Sequence, residues 1–217
     1  MAKHERNGER KSREQITGHR VPRLGYYLIV TDTKETEQNY VLGLRDSIPK
    51  EMQDKLVVKV QKTKTKTLIE EAMEFISLHP QYGEPWIVFD RDQIQNFDEI
   101  IEEAERKGIS VGWTNPCIEE WFSAYFGTMP AYSDSVSCCS GFGDTYKKVT
   151  GQKYEKNDKA IYGKLNRFGN QERAIKIAAD KYKERKANCN GKPSEMCPCT
   201  TVHVLVNEIV TKIQRKE

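Results

Sequence analysis

Long apolar runs are missing from this chain of 217 residues. The longest near its start, Tyr26-Tyr27-Leu28-Ile29-Val30, falls far short of the roughly 20 residues that span a bilayer. The opening Met1-Ala2-Lys3-His4-Glu5-Arg6 has no apolar signal core. A cytoplasmic protein with no membrane partner is therefore expected. Internal repeats are absent, and low complexity is confined to the alternating Lys62–Thr67, which reads as a solvated connection between a strand and a helix. Paired Cys-x-x-Cys knuckles are also lacking. The six cysteines, in a chain without a secretory segment, read as reduced thiols. Cys189, Cys197, Cys199 and His203 could supply four zinc ligands in principle. Their spacing is irregular and holds one short pair, so incidental thiols are expected there and zinc is not.

Hydrophobic residues at 37% and charged residues at 31% suit one polar domain that still buries a core. The net charge of +3 hides a division. Residues 84–105 carry eight acidic side chains against Arg91 alone, whereas residues 147–186 carry thirteen Lys or Arg against five acids. An acidic centre beside a basic half suits a cation site facing a surface that attracts phosphates, and it equally suits solvated helix faces. Residues 1–25, with seven basic side chains against three Glu and no apolar period, read as a basic, poorly ordered tail.

Two hydrophobic periods alternate through the first ordered half. Strand patterns cover Tyr26–Thr31, Leu56–Val60, Trp86–Phe89 and Ile109–Trp113. The first leads to a helix through Tyr40, Val41 and Leu44. The second leads to a stripe of Leu68, Ile69, Ala72, Met73 and Ile76 that ends before Pro80. Asn96 with Glu99 predicts a capping box for a helix that buries Phe97, Ile100, Ile101 and Ala104 and stops at Gly108. Asn115 as cap and Pro116 at the first helical position predict a fourth helix running to about Phe126. Four β–α units imply an α/β fold with a mostly parallel sheet flanked by helices. Residues 127–145, rich in Gly and Ser, read as a long loop, followed by helical stripes at Ala174–Tyr182 and Val202–Ile213.

Ligands of open parallel sheets bind outside the carboxyl ends of the strands. Here those ends carry Asp32, then Asp90-Arg91-Asp92, then Asn115. Carboxylates at Asp90 and Asp92, joined by Asp32 from another strand, are hard oxygen ligands for Mg²⁺ or Mn²⁺ and suit phosphodiester chemistry. Each piece also has a plain structural role. Asp32 with Glu35 makes an N-capping pair, Asp90 and Asp92 end a strand at a turn, and Glu37 complements the dipole of a helix start or holds a water. Glu119 reads as an exposed charge and Trp121 as a core aromatic. Arg91, Lys147, Lys148, Arg167, Arg173 and Lys176 are candidates for steering a nucleic-acid backbone.

At these residues the sequence resembles RloB-like proteins. Leu28–Tyr40 resembles their first motif, an apolar strand followed by E-G-x-x-T-E-x-x-Y, and Trp86–Asp92 resembles a strand followed by D-R-D. Thr114–Trp121 is similar to S-N-P-x-F-E-x-W, Tyr154-Glu155-Lys156 to Tyr-x-Lys, and Pro198–Val206 to P-x-T-x-V-H-x-L-V. The likeness covers residues 26–213. It implies a Toprim-like core over 26–126, a loop and C-terminal helical region over 127–217 packed on it, and a Mg²⁺-dependent nuclease of bacterial anti-phage defence acting on RNA or DNA with an ATPase partner. On that resemblance Asp32 takes the place of the general acid/base glutamate, Asp90 and Asp92 hold the metal, and Glu37, Asn115 and Glu119 support them. The chain departs from the pattern at Asp32 for Glu, Thr33 for Gly, Ile118 for Phe, and Tyr125 where the family tends to have His. A shorter carboxylate and a stiffer backbone leave open a second expectation, a catalytically weakened or inactive nucleic-acid-binding or regulatory subunit of a defence complex. The sequence chooses neither substrate nor oligomeric state.

Overall fold

The computed structural model describes residues 24–32, 35–60, 67–92, 94–189 and 191–214. The basic tail as far as residue 23, Thr33, and the Lys/Thr connection from Lys62 to Lys66 lie outside these. Four parallel strands, β1 (Tyr27–Thr31), β2 (Leu56–Val60), β3 (Glu84–Asp90) and β4 (Ser110–Asn115), form the sheet with a two-residue antiparallel β5 (Cys199–Thr200). Their spatial order is β2-β1-β3-β4-β5. The strands read as continuous apolar runs because both faces are covered. Tyr27 and Ile29 of β1 join one core with Trp86 and Val88 of β3, while Leu28 and Val30 join the other with Ile87 and Phe89.

Helices α1 (Thr36–Ser47), α4 (Glu119–Tyr125), α5 (Ser135–Thr150), α6 (Ile161–Phe168), α7 (Gln171–Asn188) and α8 (Val202–Gln214) contribute to the first core. Helices α2 (Leu68–Leu78) and α3 (Phe97–Arg106) cover the second. Trp121 is fully buried, as its reading as a core aromatic required. Met73, expected on the inward stripe of α2, is exposed, and Leu68, Ile69 and Ala72 supply that helix's buried face.

Several local expectations are corrected. Asn96 stands at the N-cap of α3 but its side chain makes no capping hydrogen bond. The acid used in that first turn is Asp98, which accepts from the Ser194 N–H at 2.8 Å and from Ser194 Oγ at 2.5 Å. Asn115 caps no helix. Its Nδ2 donates to the carbonyls of Pro193 and Ser194, each at 3.2 Å, and α4 begins only at Glu119. Residues 116 and 117 lie outside α4 because the Pro116 carbonyl is spent on the Asp92 N–H at 3.1 Å, which extends the pairing of β3 and β4.

The expected loop over 127–145 contains most of α5. Asp134 caps that helix by accepting from the Ser137 N–H at 2.7 Å. Gly141, one of the glycines that signalled a loop, serves packing instead, since a Cβ there would run into the Tyr132 ring. The short β5 has no strand pattern of its own in the sequence. It closes the β4 edge through the Thr114–Thr200 and Asn115–Cys199 register, with the Thr201 N–H donating to the Trp113 carbonyl at 2.8 Å.

At Gly169 the backbone passes so close to the end of α4 that a Cβ would sit 2.7 Å from the Tyr125 carbonyl oxygen. Backbone cannot swing aside as a side-chain tip can, so Gly169→Ala should cost about 1–3 kcal/mol by overpacking. Urea unfolding with an unchanged midpoint would contradict this.

Candidate active site

Parallel pairing aligns Thr31 of β1 with Val88 of β3, so Asp32 and Asp90 leave adjacent strands within about one residue of each other. β1 lies between β2 and β3, and the chain order reverses there, which makes the β1/β3 junction the switch point where open α/β sheets form their crevice. Two acids 58 residues apart in sequence are thereby brought to one place. A cavity of about 1300 Å³ opens at this junction, and Asp32, Glu37, Asp90 and Asp92 all line it.

Asp90, the last residue of β3, is half-buried in its wall. Its Oδ2 accepts the Ile118 N–H at 3.0 Å. Burial holds its carboxyl well above the usual carboxylate range, and the charges of Glu37 and Glu119, a hydrogen bond shared with Glu37, and the charge of Asp32 all push the same way. Glu37, in the first turn of α1, is itself buried. Asp92 is exposed at the rim and adopts a positive φ of 31°. Its Oδ1 accepts from Ser135 Oγ at 2.5 Å, which ties the end of β3 to the start of α5.

Glu119 is not the exposed charge its surroundings in sequence suggested. It is buried behind the cavity wall, where its Oε1 accepts from Tyr154 Oη at 2.9 Å and from Cys139 Sγ at 3.6 Å. Lys156 Nζ stands 3.9 Å from the same oxygen. Although burial acts against the Lys156 ammonium, Glu119 raises its pKa, so it stays charged. Burial and Glu119 likewise raise the Tyr154 phenol, which remains a donor.

The remaining candidates fall elsewhere. Asn115 is buried beside β5, and Arg91 is half-buried after β3. Of the basic candidates Lys147 lines the cavity, whereas Lys148, Arg167, Arg173 and Lys176 are exposed on α5, α6 and α7. The wall also carries residues that were not singled out for the site: Cys117, Ser135, Cys139, Lys153 and, from the Tyr-x-Lys motif, Tyr154 and Lys156. Of these only Tyr154 and Lys156 carried a sequence signal. The Cys117 thiol is pushed up by its hydrogen bond with Cys138 and by burial, and burial and Glu119 push Cys139 up to about 11. Both are therefore protonated thiols rather than nucleophiles near neutral pH.

Of the four residues weighed as zinc ligands, three meet backbone carbonyls: Cys189 Sγ donates to that of Glu195, Cys197 Sγ to that of Tyr132, and His203 Nδ1 meets that of Thr200 at 2.8 Å. Tyr125 shares a hydrogen bond with Tyr40 at 2.8 Å in the core.

Among the described residues no three His, Cys, Asp or Glu side chains stand in an arrangement that holds a metal ion. The donor chemistry at the β1/β3 junction nevertheless fits a hard divalent cation. Asp90 is crowded by Glu37, Glu119 and Asp32, and a cation would relieve the repulsion that raises its pKa. Asp92 would have to exchange its Ser135 hydrogen bond for the ion.

Among the described residues no helix is long and apolar enough to cross a membrane. A family model described as RloB-like protein matches residues 27–209. No curated protein and no solved structure matches the chain.

Proposed function

Because the chain belongs to the RloB-like protein family, we propose that it is a Toprim-like, Mg²⁺- or Mn²⁺-dependent nuclease that hydrolyses phosphodiester bonds of RNA or DNA in bacterial anti-phage defence, working with an ATPase partner. The observation that carries the chemistry is the meeting of Asp32, Glu37 and Asp90 at the sheet's switch point. Asp90, Asp32 and Asp92 would hold the ion, which when bound supplies charge neutralisation on the phosphate and an acidified water. Asp32 would serve either as the third ligand or as the group that takes the proton of an attacking water. Glu37 shares a hydrogen bond with Asp90 and fixes its orientation. Tyr154, Cys139 and Lys156 converge on Glu119 and keep its charge directed at Asp90.

Incubation of the protein with tRNA, total RNA and plasmid DNA in Mn²⁺ or Mg²⁺ should give strand cleavage that EDTA abolishes. A second reading, a weakened or inactive subunit of a defence complex that binds nucleic acid, is favoured by one observation: the first-strand acid is Asp, one methylene shorter than the family's Glu. Under that reading the wild type cuts nothing and Asp32→Glu restores metal-dependent cleavage. Neither protein cutting any of the three substrates would refute the nuclease assignment.

A further inference from the structure

The cavity has two chemically distinct sides. Its carboxylates come from the β1 and β3 ends and the start of α1, apart from Asp144, while its three lysines, Lys147, Lys153 and Lys156, all come from residues 147–156. We infer that this lysine segment is a subsite for the backbone phosphates of a single nucleic-acid strand, contacting phosphates beside the one presented to the carboxylates. The inference rests on the nuclease reading above and names its substrate class.

These ammonium groups are available to a phosphate. Lys147 makes no ion pair among the described residues. Lys153 pairs with Glu155 at 3.0 Å, but both side chains are largely in solvent, at 82% and 57% exposure, so the pair is easily exchanged. Lys156 is 55% exposed and has its 3.9 Å neighbour, Glu119, on the inner side only.

The segment is also fixed in place. Gly151, at a φ of 73°, ends α5 and turns the chain. Tyr154 then packs edge-on against Phe142 with ring centres 4.7 Å apart, and Thr36 Oγ1 donates to the Lys156 carbonyl at 3.2 Å. That last bond joins the lysine segment directly to the start of α1, the helix that carries Glu37. A cation-bearing wall held this way loses little freedom on binding.

Size and burial choose the form of substrate. About 1300 Å³ exceeds the volume of ordinary small-molecule pockets and admits more than one nucleotide. Asp90 is half-buried at the end of β3, so a flexible single strand, whose phosphates can be turned inward one at a time, reaches it more readily than a rigid duplex does.

The test is fluorescence anisotropy with labelled oligothymidylate and oligouridylate of about 12 nucleotides, in Ca²⁺ to suppress cutting, across a salt series. The triple variant Lys147→Ala/Lys153→Ala/Lys156→Ala should bind at least about tenfold more weakly, with a salt slope shallower by about 2, as expected for three lost phosphate contacts on a single strand. Lys148→Ala/Arg167→Ala/Lys176→Ala, altered outside the cavity, should change binding much less, and a duplex of the same length should compete poorly. Unchanged affinity and slope in the cavity triple, a larger loss in the outer triple, or no oligonucleotide binding by the wild type would overturn the subsite. If the wild type binds through these lysines yet Mg²⁺ and Mn²⁺ bring no cleavage, the subsite stands and the nuclease reading falls. If cleavage persists in the cavity triple with unchanged KM, the reverse holds.

Discussion

Asp90→Asn is expected to lower metal-dependent strand cleavage by about a thousandfold or more, the scale seen when a charge that acts in the transition state is removed. The amide keeps an oxygen that can accept the Ile118 N–H, so the turn after β4 retains its hydrogen bond. What disappears is the ionisable group at the focus of Glu37, Glu119 and Asp32. The same substitution should leave the protein as stable or more so near neutral pH, because the native state no longer holds a carboxyl whose ionisation burial and three like charges oppose. Initial rates in Mn²⁺ and Mg²⁺, read beside the melting temperature, check both parts. Full activity in a normally folded Asp90→Asn protein would remove Asp90 from the chemistry.

A second large effect is expected at Glu120, in stability rather than catalysis. The residue has no exposed surface, and Cys138 Sγ donates to its Oε1 at 3.6 Å. Burial pushes its carboxyl from 4.5 up to about 8; the Cys138 hydrogen bond and Lys181 oppose the rise, and Glu119 adds to it. Below about pH 4.5 both folded and unfolded states hold the proton, and Glu120 contributes no pH dependence. Between there and pH 8 the unfolded chain ionises while the native state stays protonated, so stability falls as pH rises. Above pH 8 the penalty is complete, on the order of 3–5 kcal/mol. Glu120→Gln keeps the acceptor and cannot ionise. Its melting temperature should match wild type near pH ~4.5 and exceed it by roughly 10 °C near pH 8.5. Parallel melting curves for the two proteins across that range would contradict the assignment.

The sheet was legible because its strands are buried on both faces and therefore stand out as unbroken apolar runs, as Leu28–Val30 and Trp86–Phe89 do. The positions of Asp32 and Asp90 followed from that, since a strand's last residue is local information and the switch-point rule does the rest. What failed to show was decided at long range. Glu119 and Glu120 look like the solvated first turn of a helix, yet all seven residues of α4 are buried, a fact set by α5, α7 and β5 rather than by the helix's own pattern. Gly141 and the serines of α5 carry the composition of a loop, and only the Tyr132 ring packed above explains a glycine in mid-helix. Lys147 and Lys153 sit among many lysines of the basic half, and nothing local separates them from those on the outer helix surfaces, whereas Lys156 stood out through the Tyr-x-Lys match.

The last strand has a consequence for how the protein is made. Thr114 and Asn115 at the end of β4 find their partners in residues 199 and 200, and Asn115 also leans on 193 and 194. While the chain emerges from the ribosome, the open side of the sheet must wait for some 80 further residues before it is sealed, a delay of several seconds or more at ordinary elongation rates. The turn that accepts the Asp92 amide hangs from this same unsealed strand. On the reading proposed above, nascent copies would acquire their cutting geometry only once residues 193–200 have joined the sheet.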